Sequence, residues 1–137
     1  MDKFLDRWHS AVLNKDLKLL NSLLHPNIEF HTPLYLKSRK GSGMVTAILA
    51  SAINIFQDFK YNREWVSQDQ LNYCLEFQAI VEGKIIKGVD LIRIDESGRI
   101  IHFEVMLRPI KQLARFGELQ AEGIPKMIEK LQINAKL

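Results

Sequence analysis

Gly88-Val89-Asp90-Leu91-Ile92-Arg93-Ile94-Asp95-Glu96-Ser97-Gly98-Arg99-Ile100 carries the decision about fold: an apolar run, a short polar turn containing glycine, and the start of a second apolar run. Two extended segments joined by so short a connection must lie antiparallel. Alternation along the first run puts Ile86, Gly88, Asp90, Ile92 and Ile94 on one face, so a carboxylate stands among isoleucines. An acid on an apolar face is either paired or functional, because an isolated buried charge is strongly disfavoured.

Equally short connections recur on either side. Gln68-Asp69-Gln70, Glu82-Gly83 and Glu96-Ser97-Gly98 separate residues 59–67, 71–81, 84–95 and 99–108, which predicts four strands in an antiparallel meander. Ahead of them the spacing is helical. Phe4, Leu5, Trp8, Ala11 and Val12 form an apolar stripe behind Asp2, which can cap a first helix. Asp16 can cap a second, shorter one, whose stripe of Leu17, Leu20, Leu23 and Leu24 ends near His25-Pro26. Residues 27–31 alternate as a short strand, ended at Thr32-Pro33 because proline cannot donate to a ladder. A polar loop then runs through Lys40, and Ser42 is placed to cap a third helix with a wide apolar face from Met44 to Phe56.

Past the meander, Pro109 suits a first helical turn. Ile110, Leu113 and Phe116 predict a helix up to Gly123, a break at Ile124-Pro125, and a short final helix through Met127, Ile128 and Leu131. Helices segregated before strands make the fold α+β. A chain of 137 residues with ordinary composition is expected to form one domain, residues 1–137, with a core at about 3–108 and a helical extension at 109–137.

Asp2, Lys3, Asp6 and Arg7 interrupt the start of the chain, so it lacks a signal peptide's apolar core, and no run is long enough to span a membrane. Cys74 is the only cysteine and no histidine lies near it in sequence to activate it; a reducing, cytoplasmic setting is expected. The formal charge of +3 is modest, and the basic residues are dispersed except for Lys37, Arg39 and Lys40. No basic stripe or aromatic-studded basic sheet points to nucleic acid, and nothing points to a membrane partner.

Helices, a short strand and a long meander closing on Gly88-Val89-Asp90 and Gly98-Arg99-Ile100 resemble the nuclear transport factor 2-like superfamily, which includes steroid delta-isomerases, limonene epoxide hydrolase, scytalone dehydratase and SnoaL-like polyketide cyclases. His31-Thr32-Pro33, the run from Phe56 to Tyr61, and Val105-Met106-Leu107-Arg108-Pro109 are similar, more narrowly, to a bacterial SnoaL-like subfamily whose members mostly lack an assigned activity. The resemblance implies a cone: three N-terminal helices packed on a strongly bent, mixed or antiparallel sheet, with a cavity between them and a C-terminal helix. It also implies a homodimer through the outer face of the sheet. Steroid isomerases use a tyrosine in the first helix, an aspartic acid on the penultimate strand and a general-base aspartate just before a proline. Here those positions are Trp8, Asp90 and Thr32, so one of the three survives. Neither the epoxide hydrolase's arginine with paired aspartates nor the cyclases' His-Trp-Asp string is found; His102-Phe103-Glu104 stands where that string would be.

Asp90 is therefore the first catalytic candidate, as acid, base or oxyanion donor; the alternative is a structural acid paired with a neighbouring lysine, arginine or tryptophan NH. His31, next to the base position, is the second candidate, because imidazole exchanges protons near neutral pH. Trp8, Tyr35, Phe56, Tyr61 and Tyr73 supply aromatic surface for an apolar pocket. On the last strand, Ile101, Phe103, Val105 and Leu107 share one face, expected to line core and cavity, while His102, Glu104, Met106 and Arg108 share the other. A bulge would invert that assignment, which keeps Glu104 and Arg108 as secondary pocket candidates.

The histidines show no metal-ligand spacing, and Gly41-Ser42-Gly43 is not a phosphate loop because no strand immediately precedes it. No metal, nucleotide or flavin is expected. These residues predict a pocket for a small apolar or amphipathic metabolite, with cofactor-free isomerase, cyclase, dehydratase or hydrolase chemistry centred on Asp90 within reach. The alternative is a non-catalytic dimeric module that binds a ligand or a protein. A solvent-connected void touching Asp90 favours the first, and a sealed core with Asp90 salt-bridged favours the second.

Overall fold

The computed structural model describes residues 2–132. Helix α1 (Lys3–Leu13) starts at Asp2, whose carboxylate accepts the Leu5 backbone N–H at 3.0 Å, and it buries Phe4, Trp8, Ala11 and Val12. Asp16 caps α2 (Leu17–Ser22) in the same way, accepting from the Leu19 N–H at 3.1 Å. The helix ends before Leu24, which opens strand β1 (Leu24–His31) instead of continuing the helical stripe. Leu24 pairs with Ile100, a long-range partner that local periodicity cannot reveal. Pro26 falls in the register shift between Leu24 and Glu29, where the ladder is interrupted and its missing N–H is not needed.

Strand β2 (Arg39–Lys40) occupies part of the expected polar loop and pairs antiparallel with β1. Helix α3 (Ser42–Ile55) begins at Gly41, with φ +95° and no side-chain cap, so Ser42 is a helical residue and not the expected cap. Strands β3 (Gln57–Val66), β4 (Asn72–Val81), β5 (Lys84–Ile94) and β6 (Ile100–Arg108) form the predicted antiparallel meander. The sheet order is β2-β1-β6-β5-β4-β3, and β1 lies parallel to β6, which makes a six-stranded, mixed, open sheet.

Two strands bend the sheet by carrying extra residues. Against β4, strand β3 shifts register between Gln57 and Lys60, where Asp58 adopts φ +50°, and again between Tyr61 and Glu64. Against β5, strand β6 shifts at Ile101, because Ile94 pairs with Ile100 while Arg93 pairs with His102. Ile101 therefore does not share the inner face with Phe103 as its spacing suggested; Ile100 is fully buried in its place. Beyond the shift, alternation resumes.

Helix α4 (Ile110–Leu131) is continuous and carries Pro125 inside it, so the expected break and separate final helix do not occur. The reason is tertiary. Phe116, Gln120, Gly123 and Met127 form one stripe along α4. Phe116 stacks on Phe56 at 5.0 Å, and Met127 packs on Ala47 and Ala50 of α3. A Cβ at Gly123 would lie 2.4 Å from Ser51 Oγ, so α3 and α4 approach closely here and a larger residue would require the Ser51 side chain to move. This contact offsets the backbone hydrogen bond that Pro125 removes. The end of the expected extension, residues 133–137, lies outside the described residues. Among those described, no helix is long and apolar enough to cross a membrane.

Candidate functional site

Strand β5 delivers Asp90 to the interior by plain alternation: Ile86, Gly88, Asp90, Ile92 and Ile94 are all buried. Its cross-strand partners are Leu75 and Val105, so no polar side chain stands opposite it on either adjacent strand. Gly88, two residues earlier, admits a close approach. A Cβ there would lie 2.5 Å from the Met106 carbonyl oxygen and 2.7 Å from Phe77 Cζ, so a larger residue would push β5 away from its neighbours.

Asp90 is held by a one-way chain of donors. The Tyr61 hydroxyl donates to Asp90 Oδ2 at 2.8 Å, and the Trp8 indole Nε1–H donates to the Tyr61 oxygen at 2.8 Å. Among the described residues no cation forms an ion pair with Asp90. Burial pushes its carboxyl up to about 7, against the downward pull of the Tyr61 hydrogen bond. Burial, and then the Asp90 charge, holds the Tyr61 phenol well above its ordinary range. Tyr61 therefore keeps its proton at neutral pH, while Asp90 exchanges one.

Both groups border a cavity of about 60 Å³ between helices and sheet. Its walls come from every layer: Trp8 from α1, Ile48 from α3, Phe77 from β4, Val105 from β6 and Phe116 from α4. Thr32 and Pro33, just past β1, border it too. Gln120 donates its amide to the Ile48 carbonyl oxygen at 3.3 Å, and its own Oε1 has no hydrogen-bond partner.

The residues expected at a pocket divide cleanly. Asp90, Trp8, Phe56 and Tyr61 border the cavity together with Phe103, Val105 and Leu107. Tyr73 does not, because its buried ring packs on Phe4 and its hydroxyl donates to Asp2 at 2.7 Å, tying β4 to the start of α1. His31 faces outward, since the inward position on β1 belongs to Phe30, which is 2% exposed. Tyr35 is 65% exposed on the loop that leaves the cavity rim. Glu104 and Arg108 stay on the outer face, because the shift at Ile101 precedes Phe103 and leaves the alternation beyond it intact.

Phe116 and Gln120 were missed as wall residues. Their spacing of four would place them on one helical face, but the layer they face is set by packing between α3 and α4. Another missed feature is the meeting of Glu29 and His31 on β1 with His102 on β6.

No protein-family model matches the sequence, and no functionally curated protein matches it either. Solved structures do. A steroid delta-isomerase from Pseudomonas aeruginosa is 37% identical over 92% of this chain and 92% of its own, with a TM-score of 0.86. A bacterial protein with a cystatin-like fold from Silicibacter pomeroyi is 29% identical over 99% of this chain and 90% of its own, with a TM-score of 0.82. An NTF2-like protein from Cytophaga hutchinsonii is 19% identical over 80% of this chain and 91% of its own, with a TM-score of 0.62, and shares the fold. The chain belongs to the nuclear transport factor 2-like superfamily. Within this nuclear transport factor 2-like cone, Trp8, Asp90 and Thr32 all border the cavity, so the three positions mapped from the steroid isomerase pattern surround one space. Their chemistry differs. An indole replaces a phenol and a hydroxyl replaces the base carboxylate.

The raised carboxyl has a consequence for stability. Asp90 sits at about 7 in the folded chain and near 3.9 when unfolded, so between these values the folded state binds more protons and stability falls as pH rises. Ionising Asp90 in place therefore costs on the order of 4 kcal/mol. Asp90→Asn removes this cost. Denaturant unfolding should find the variant gaining on the parent protein between about pH 4 and about pH 8 by up to that amount. A stability difference independent of pH over this window contradicts the burial of an ionisable group here.

Proposed function

We propose that this protein binds a small, largely apolar molecule carrying one carbonyl or hydroxyl oxygen, with Asp90 exchanging a proton or hydrogen bond with that oxygen. The observation that carries the proposal is a cation-free carboxyl raised to about 7 at the edge of a cavity. Below that pH Asp90 donates to a ligand oxygen, and above it Asp90 accepts. A group balanced in this way suits general acid–base work at neutral pH. Tyr61 and Asp90 are the titratable groups among the residues that border the cavity, and Tyr61 holds its proton. The supported chemistry is therefore one in which a single carboxyl gives and takes back a proton: a proton shift, or the activation of one oxygen for cyclisation or ring opening. His31, expected as a second acid–base group, lies on the other face of the sheet and has no place in this step.

The cavity also limits the guest. Roughly 150 Å³ accommodates benzene, so about 60 Å³ suits only a small molecule in this conformation. The steroid in the name of the Pseudomonas aeruginosa relative is not proposed as the substrate: the cavity is too small, and Thr32 offers no carboxylate base.

Saturation-transfer NMR with a panel of small ketones and alcohols tests the proposal. Ligands should bind more tightly below pH 7 if they present a carbonyl and lose binding to Ala52→Leu, which fills the void from α3. Binding that ignores both pH and Ala52→Leu contradicts the proposal.

We further infer a homodimer through the outer sheet face, where Trp65 on β3, Ile85 on β5 and Met106 on β6 are each at least 50% exposed. Sedimentation should give a dimer that Met106→Lys converts to monomer with unchanged circular dichroism. A monomeric parent protein overturns this inference.

A further inference from the structure

On the outer face of the sheet, far in sequence but adjacent in register, four ligating side chains converge. Parallel pairing sets Glu29 beside His102 and His31 beside Glu104. Residues two apart on a strand point the same way, so all four project from one face across the β1–β6 seam. Glu29 Oε2 lies 3.7 Å from His31 Nε2 and 3.5 Å from His102 Nδ1, and the three ligating atoms all lie within 4.8 Å of one another. The two imidazole rings face each other with centroids 4.8 Å apart.

These separations are too long for good hydrogen bonds. The two distances from Glu29 are close to the spacing of ligands around a metal ion. Tetrahedral ligands about 2.1 Å from a central ion lie about 3.4 Å from one another. We propose that Glu29, His31 and His102 form a site for a divalent transition-metal ion of the zinc class, with Glu104 orienting His102. The donor set of two imidazoles and one carboxylate suits zinc, copper or nickel better than magnesium or calcium, which take oxygen ligands. Three protein ligands leave a fourth position for water.

The surroundings favour this arrangement over a plain cluster of ion pairs. Glu104 Oε1 stands 3.7 Å from His102 Nε2, on the side of the ring opposite the Nδ1 that faces Glu29. Rotated into hydrogen-bond distance, a carboxylate there would favour the tautomer with Nε2 protonated, which leaves the Nδ1 lone pair free to ligate. Lys40 lies opposite Glu29 on β2, and Arg93 lies opposite His102 on β5, where it donates to Asn72 Oδ1 at 3.3 Å. Both cations weaken the site without occupying it. The ligands sit on paired strands, so ordering them for a metal requires only side-chain rotations of partly exposed residues.

Calorimetric titration of the untagged, chelator-treated protein with zinc chloride at neutral pH tests the assignment. One zinc ion should bind per chain. His31→Ala, His102→Ala and Glu29→Gln should each weaken binding at least about tenfold, with Glu104→Gln weakening it by a smaller factor. His25→Ala, at a partly exposed histidine outside the cluster, should leave the affinity unchanged. Circular dichroism of each metal-free variant separates loss of a ligand from loss of the fold. Absence of binding at millimolar zinc, half an equivalent per chain, or binding that survives both histidine substitutions in folded protein overturns the proposal.

Discussion

A carboxyl group held without a cation inside an apolar cone is the constraint on which the rest of this structure depends. Its ionised form is opposed by desolvation and favoured by one hydrogen bond from Tyr61. A hydrogen bond to a charged group stabilises by roughly 1.5–3 kcal/mol, which is not enough to hold a buried carboxyl at its ordinary value. The balance falls near neutrality. Several features of the fold serve this one placement. The Asp58 irregularity precedes Phe59 and Tyr61, both of which turn inward, Trp8 reaches from α1 to fix the phenol, and Gly88 lets β5 sit tightly among its neighbours.

The same arrangement narrows the chemistry. With Tyr61 locked as a donor and Thr32 at the rim, the cavity holds one group that changes protonation near pH 7, so two-residue acid–base schemes lack a second member among the residues that border it. His31 and His102 are gathered on the other face at the β1–β6 seam. The two faces of one sheet thus carry different capacities: an apolar void with a lone acid inside, and a nitrogen-rich, carboxylate-lined cluster outside.

Much of this was legible from local pattern. Short turns at Glu82-Gly83 and Glu96-Ser97-Gly98 force antiparallel neighbours, and strict alternation through Asp90 follows from the pleat, so the meander and its buried acid could be read directly. What stayed hidden depends on distant partners. The parallel pairing of β1 with β6 converted Leu24 from helix to strand and brought His31 to His102, neither of which any window of sequence contains. Packing of Gly123 on Ser51 carried α4 through Pro125, where local propensity predicts a stop. Tyr73 shows the converse: its aromatic character suggested a cavity wall, but a hydrogen bond to Asp2, distant in sequence, assigned it to anchoring the N-terminus.

The most direct test of the central claim is the carbon-13 resonance of the Asp90 side-chain carboxyl followed through a pH titration of the folded protein. A midpoint near 7 is the value predicted from its burial against Tyr61. A midpoint below about 5, in the range of an ordinary solvated or ion-paired aspartate, contradicts the account.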